Sequence, residues 1–109
     1  MKPQTNRTKI FAEIEQERLR QDEKWGEQNH PMVEDDFDFE RAAETLRRIR
    51  LKNDSGKKTW LSILQEELAE AVLAPSLQKQ RKEMVQVAAV AVQIIEYLDR
   101  RENETKNNA

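Results

Sequence analysis

Apolar positions recur at helical spacing along most of the chain, and the pattern predicts four helices. From about residue 6 to residue 24, Ile10, Phe11, Ile14 and Leu19 are the apolar members of a segment otherwise dense in Glu, Arg and Gln, which makes a weakly amphipathic helix. "WGEQNHPMVEDD", residues 25–36, interrupts it with Gly26 and Pro31 and reads as a loop. Asp36 or Asp38 can cap a second helix, in which Phe39, Ala42, Ala43, Leu46 and Ile49 recur. "KNDSGKK", residues 52–58, reads as a polar turn. Thr59 can cap a third helix that runs to about Ala74, where Pro75 stops it. The fourth runs from Leu77 or Arg81 to Arg101. Residues 1–5 and 102–109 read as frayed ends of a single domain spanning 1–109. No segment has the alternation of a strand, so the expected class is all-α, a four-helix bundle.

The fourth helix differs from the others. Val85, Ala88, Val92 and Ile95 fall on one side of it, and Val87, Val90 and Ile94 on another. A helix that is apolar all round has to be covered all round. Three short helices from one chain supply little cover, and the composition agrees: hydrophobic and charged residues each make up 37% of the 109 residues. The expectation is a bundle completed by homo-oligomerisation, as a dimer or a tetramer.

Charge and cysteine content narrow the function classes. Nineteen basic against twenty-one acidic residues give a net charge of −2, so nothing favours a nucleic-acid polymer as partner. The absence of cysteine removes disulfides, thiolate metal sites and Cys nucleophiles. The longest strongly apolar run, Val87 to Val92, is too short to span a bilayer, and "MKPQTNRTKI" has no signal-peptide core. A cytoplasmic protein without a membrane partner is expected.

The candidate chemistry lies in "LQEELAEAV" and "KEMVQVAAV". At about 100° per residue, Leu61, Leu64, Leu68 and Ala71 form the expected inward stripe of the third helix. Glu67 falls at its edge, Glu70 follows three residues on along the same side, and Glu66 points more nearly away. On the fourth helix, Glu83 is in line with Val87, Val90 and Ile94, with Gln86 three residues on. A carboxylate aligned with an apolar stripe is costly unless it is paired or metal-bound. Two i,i+3 polar pairs on neighbouring helices are how helical bundles hold divalent ions, and Glu oxygens suit Mg²⁺ or Mn²⁺. Against this stands the plainer reading, in which a Glu-rich helix is a solvated face and Glu83 favours a helix dipole.

"EELAE", twelve intervening residues and "EMVQ" resemble the E-E-x-x-E … E-x-x-D signature of the MazG-like all-α nucleoside triphosphate pyrophosphohydrolases. "ERLRQDEKWGEQNHP", "TWLSILQEELAEAV" and "EMVQVAAVAVQIIEYLDRR", in that order, are similar to a short MazG-like subgroup of phages and bacteria, over about residues 15–101. The resemblance implies an oligomeric helical bundle that hydrolyses a nucleoside triphosphate between its α- and β-phosphates, releasing monophosphate and pyrophosphate with Mg²⁺. Carried over by position, Glu67, Glu70 and Glu83 would be metal ligands, and Glu66 would orient the attacking water or a second ion. Gln86 stands where the family has Asp. An amide oxygen can ligate Mg²⁺ but adds no negative charge, so metal affinity should be weaker.

Other residues are candidates for substrate contact. Trp25 and Trp60 could stack on a base, although core packing is the plainer role for Trp60. His30, the only histidine, could contact a base or simply sit in its loop beside Pro31. Lys57 and Lys58 could meet phosphates or be solvated. With one His and no Cys, neither a Ser–His–Asp nor a Cys–His arrangement is available, and no Gly-rich phosphate loop is present. Phosphoryl transfer needs positioning and charge neutralisation more than covalent help, which fits the residues present. Two rival readings share the fold: a nucleotide-binding or sequestering protein without turnover, and a structural bundle whose acids are only solvated.

Overall fold

The structure, a computed structural model, describes residues 2–108, with side chains described over residues 6–106. It contains α1 (Lys2–Trp25), α2 (Asp36–Asp54), α3 (Trp60–Leu73) and α4 (Leu77–Asn108), and no strand among the described residues. The chain divides into two compact units, one of residues 31–94 and one that joins the residues up to 30 with those from 95 onward.

The unit of α1 and the end of α4 is held by few buried groups. Ile10 is its buried apolar residue among those described, and Arg7 Nε meets Glu96 Oε2 at 3.0 Å. Most of the remaining order is local to each helix. Arg18 pairs with Asp22 at 2.8 Å, and Arg20 with Glu17, at the i,i+4 and i,i+3 spacings that support an exposed helix. α1 ends where Gly26 adopts a φ of +67° and its N–H bonds to Asp22 O at 2.8 Å. The expected frayed ends fall partly on residues 1 and 109, outside the described residues; α1 already begins at Lys2 and α4 continues to Asn108. Within that last segment Lys106 meets Glu102 at 3.8 Å and Thr105 Oγ1 donates to Arg101 O at 3.0 Å.

The unit of residues 31–94 carries the candidate chemistry. Asp35, not Asp36 or Asp38, caps α2, its carboxylate accepting from Asp38 N at 3.2 Å. α2 also ends later than the sequence suggests. "KND" is helical, and the chain turns at Gly56, whose φ of +84° suits a residue without a side chain. Asn53 is therefore a helical residue on the same side of α2 as Ile49, and both are buried.

α3 starts with a capping box. Ser62 N donates to Thr59 Oγ1 at 3.0 Å, and Thr59 N donates back to Ser62 Oγ at 2.9 Å. Ala74, in the extended conformation expected before a proline, ends α3. Ser76 then caps α4, accepting from Lys79 N at 3.2 Å, and Gln80 Nε2 reaches back to Ala71 O at 3.2 Å. α2 packs along α3 from one side, and the start of α4 approaches it from another.

The inward face of α3 agrees with the expected stripe at Ala71, which is buried, and at Leu64, which is half-buried, but not at the other two leucines. Ser62, Ala69 and Ala71 are buried, whereas Leu61 is 65% and Leu68 47% exposed. Small residues on α3 lie against α2, and the bulky leucines are left outside. Cover along α4 is uneven: Val92 is buried and Val87, Val90 and Ile94 are half-buried, while Val85, Ala88 and Ala89 are exposed. No helix among the described residues is long and apolar enough to cross a membrane.

A candidate metal centre on α3 and α4

Glu67 and Glu70 leave α3 three residues apart and meet Glu83 from the second turn of α4. One carboxylate oxygen from each lies within 4.8 Å of the other two, and all three side chains are half-buried. Two full charges at such a distance repel by on the order of 3 kcal/mol at an effective dielectric of about 20. The cluster carries this repulsion with partial relief. Assigned so that its nitrogen faces the acids, the orientation that gives both ends of the amide partners, Gln86 donates to Glu67 Oε2 at 3.0 Å and to Glu83 Oε2 at 3.2 Å. Burial pushes the Glu67 carboxyl above its ordinary range, and the nearby charges of Glu70, Glu83 and Glu66 push it further in the same direction.

Glu66 belongs to the same patch but is held differently. It turns toward α2 instead of pointing away, and its side chain is about one-quarter exposed. Asn53 Nδ2 donates to its Oε1 at 2.6 Å. Arg50 Nε lies 3.9 Å from its Oε2, and Arg50 Nη2 donates to Glu70 Oε2 at 3.2 Å. Arg50 thus spans two of the four acids, whereas Glu67 and Glu83 share the neutral Gln86 amide.

Of the ten residues singled out in the sequence, the structure brings five together: Glu66, Glu67, Glu70, Glu83 and Gln86. Trp60 is the first residue of α3 and half-buried, with Lys57 and Lys58 exposed just before it. Glu66 follows Trp60 by six positions, about 9 Å along the helix axis. Trp25 and His30 lie in the other unit. Trp25 is exposed at the end of α1, with Lys24 Nζ 4.8 Å from its ring centre, and His30 Nε2 is 2.8 Å from Gln28 Oε1.

Three residues of the patch escaped the sequence reading: Arg50, Asn53 and Ser62. Treating 52–58 as a turn took Asn53 off the helix, and with it the signal that could have found it. Continued through "LKND", the helix puts Arg50 and Asn53 at an i,i+3 spacing beside the Ile49 that marks the inward face.

A scan against protein-family models, a search of curated proteins and a search of solved structures each returned no match. The three carboxylates form an all-oxygen donor set, which favours hard divalent cations over softer ones.

Proposed function

We propose that this chain is a Mg²⁺- or Mn²⁺-dependent nucleoside triphosphate pyrophosphohydrolase of the MazG-like type, cleaving between the α- and β-phosphates to give a monophosphate and pyrophosphate. The observation that carries the reading is the convergence of Glu67, Glu70 and Glu83 within 4.8 Å. Clustered half-buried acids are costly without a cation, and Glu67 is already biased toward holding a proton. The donor set fits a divalent ion, and Glu67, Glu70 and Glu83 would hold it. When bound, such an ion neutralises phosphate charge and makes water a better nucleophile. Gln86 would join by turning its amide through half a circle. It would give up two hydrogen bonds to Glu67 and Glu83 and present oxygen in place of nitrogen. Glu66 is the residue to orient the attacking water and take its proton. Trp60, Lys57 and Lys58, which precede the acids in the same unit, are the candidates for base and phosphate contact.

The same reading includes a homo-dimer or homo-tetramer and a cytoplasmic setting, where nucleotide and Mg²⁺ are both at hand. Association is supported by the uncovered Leu61 and Leu68 on α3 and by Val85, Ala88 and Ala89 on α4.

A second reading, nucleotide binding without turnover, is favoured by one observation. Gln86 is neutral and serves the acids as a hydrogen-bond donor, where a fourth carboxylate would add charge for metal. One experiment separates the two. Purified protein is incubated with a panel of ribo- and deoxyribonucleoside triphosphates and Mg²⁺ or Mn²⁺, and monophosphate and pyrophosphate are read by chromatography. Turnover by the wild type that is lost in Glu70→Ala supports the hydrolase. Intact nucleotide from the wild type across the panel refutes it. Activity gained only in Gln86→Asp would favour binding.

A further inference from the structure

We infer that Asn53 is a positioning residue for Glu66, fixing one carboxylate oxygen so that the other is aimed at the reacting water; this rests on the hydrolase reading above. Asn53 is 5% and Ser62 1% exposed, so the bonds they make are made away from water. Four groups are linked in one direction. Thr59 N donates to Ser62 Oγ at 2.9 Å, Ser62 Oγ donates to Asn53 Oδ1 at 2.7 Å, and Asn53 Nδ2 donates to Glu66 Oε1 at 2.6 Å. The hydroxyl of Ser62 fixes which end of the Asn53 amide is oxygen, and so which end faces the carboxylate. Reversed, the amide would set its oxygen against Glu66 Oε1.

The chain of bonds begins in the capping box of α3 and crosses to the last turn of α2 before returning to α3. Glu66 is thus tied at one oxygen to two helices, while its Oε2 has only Arg50 Nε, at 3.9 Å. Glu67, Glu70 and Glu83 make no hydrogen bond to Asn53, so the amide acts on the water-orienting acid and not on the proposed metal ligands.

Asn53→Ala is a clean probe. Ser62 Oγ has a second acceptor, Thr59 O at 3.0 Å, so the substitution leaves its hydroxyl satisfied. Alanine also favours the helix. The variant is expected to keep its helical circular dichroism and to bind Mn²⁺ by calorimetry within about threefold of wild type. Its kcat should fall by about 10- to 100-fold with KM nearly unchanged. Wild-type kcat, or a loss of Mn²⁺ affinity as large as the loss of kcat, would overturn the inference. A readout independent of turnover is the Asn53 side-chain amide resonance of the metal-free full chain. It should shift on Glu66→Gln and exchange slowly with solvent. An unmoved resonance sinks the positioning role even if the enzyme is active. A resonance that responds, in a protein without turnover, sinks the hydrolase reading and leaves the Asn53–Glu66 link standing.

Discussion

On one side of α3, Ser62 and Ala69 are buried against α2, and Glu66 is held there by Asn53. Roughly 100° round the helix, Leu61 and Leu68 are left to solvent. The polar side has made its contacts within one chain, and the apolar side has not. Leaving a leucine exposed forgoes about 1.5–3 kcal/mol of burial. The helix is oriented at that cost by small residues, which admit close neighbours, and by polar groups with fixed partners. An acid cluster built this way is assembled within one chain, whereas the two leucines have no cover within it. The two faces therefore make different demands, and each can be tested without the other.

The largest effect is expected on the acid side. Glu70→Ala removes a donor from the proposed metal set and a partner from Arg50. Turnover should fall by on the order of 10³-fold or more, about 4 kcal/mol of barrier. In a thermal scan, a cation at about 100 times its Kd should stabilise the wild type by about 2.7 kcal/mol, and that stabilisation should vanish in the variant. A variant that still responds to Mn²⁺ like the wild type would remove Glu70 from the site.

The apolar side comes next. Leu68→Asp puts a charge on the uncovered stripe while leaving the acids untouched. If a second copy covers this face, the solution mass by light scattering should shift toward monomer, with a loss of about 2–3 kcal/mol. An unchanged mass and a Tm within about a degree would mean that the leucines face water in the working protein.

The same contrast explains what could be read in the sequence. Helix number, the Thr59 cap and the Pro75 stop were legible because capping and proline chemistry are local. Glu67, Glu70, Glu83 and Gln86 were legible as two i,i+3 pairs, since helical spacing fixes which side chains can converge. The inward face of α3 was legible only at Leu64 and Ala71. Hydrophobicity also selects Leu61 and Leu68, which are exposed, and passes over Ser62 and Ala69, which are buried and whose value is their small size. Asn53 was missed for a related reason. Asn, Asp, Ser and Gly in succession favour a turn locally, yet packing along α3 carries α2 through Asp54.

Gln86→Asp tests the acid side more gently. The wild-type amide donates to Glu67 and Glu83, and the substitution replaces those donors with a shorter, negatively charged group. The metal-free variant should be less stable by about 1 kcal/mol, as expected for lost hydrogen bonds and added repulsion at an exposed position. Its gain from Mn²⁺ should exceed that of the wild type, because the added charge repels other acids but attracts the cation. If the metal-free Tm is unchanged and the Mn²⁺ gain is no larger, the Gln86 amide is not relieving the cluster.

The smallest effect, and the most specific to Glu67, is its pH dependence. Its carboxyl is held above the ordinary 4.5 by burial and then by Glu70, Glu83 and Glu66. A group whose folded-state pKa is raised binds its proton more tightly in the folded protein. Its contribution to stability is therefore full below 4.5 and is lost as pH rises through the folded value. Metal ligation runs the other way, because a cation requires the ionised carboxylate and displaces that proton. In scans from about pH 5 to about pH 7.5 at constant ionic strength, the metal-free protein should lose this contribution as pH rises, while the Mn²⁺-induced rise in Tm grows. Glu67→Gln, which has no proton to lose, should flatten both trends. A Mn²⁺ effect equal at both ends of the range, in wild type and variant alike, would mean that the cation is held without Glu67.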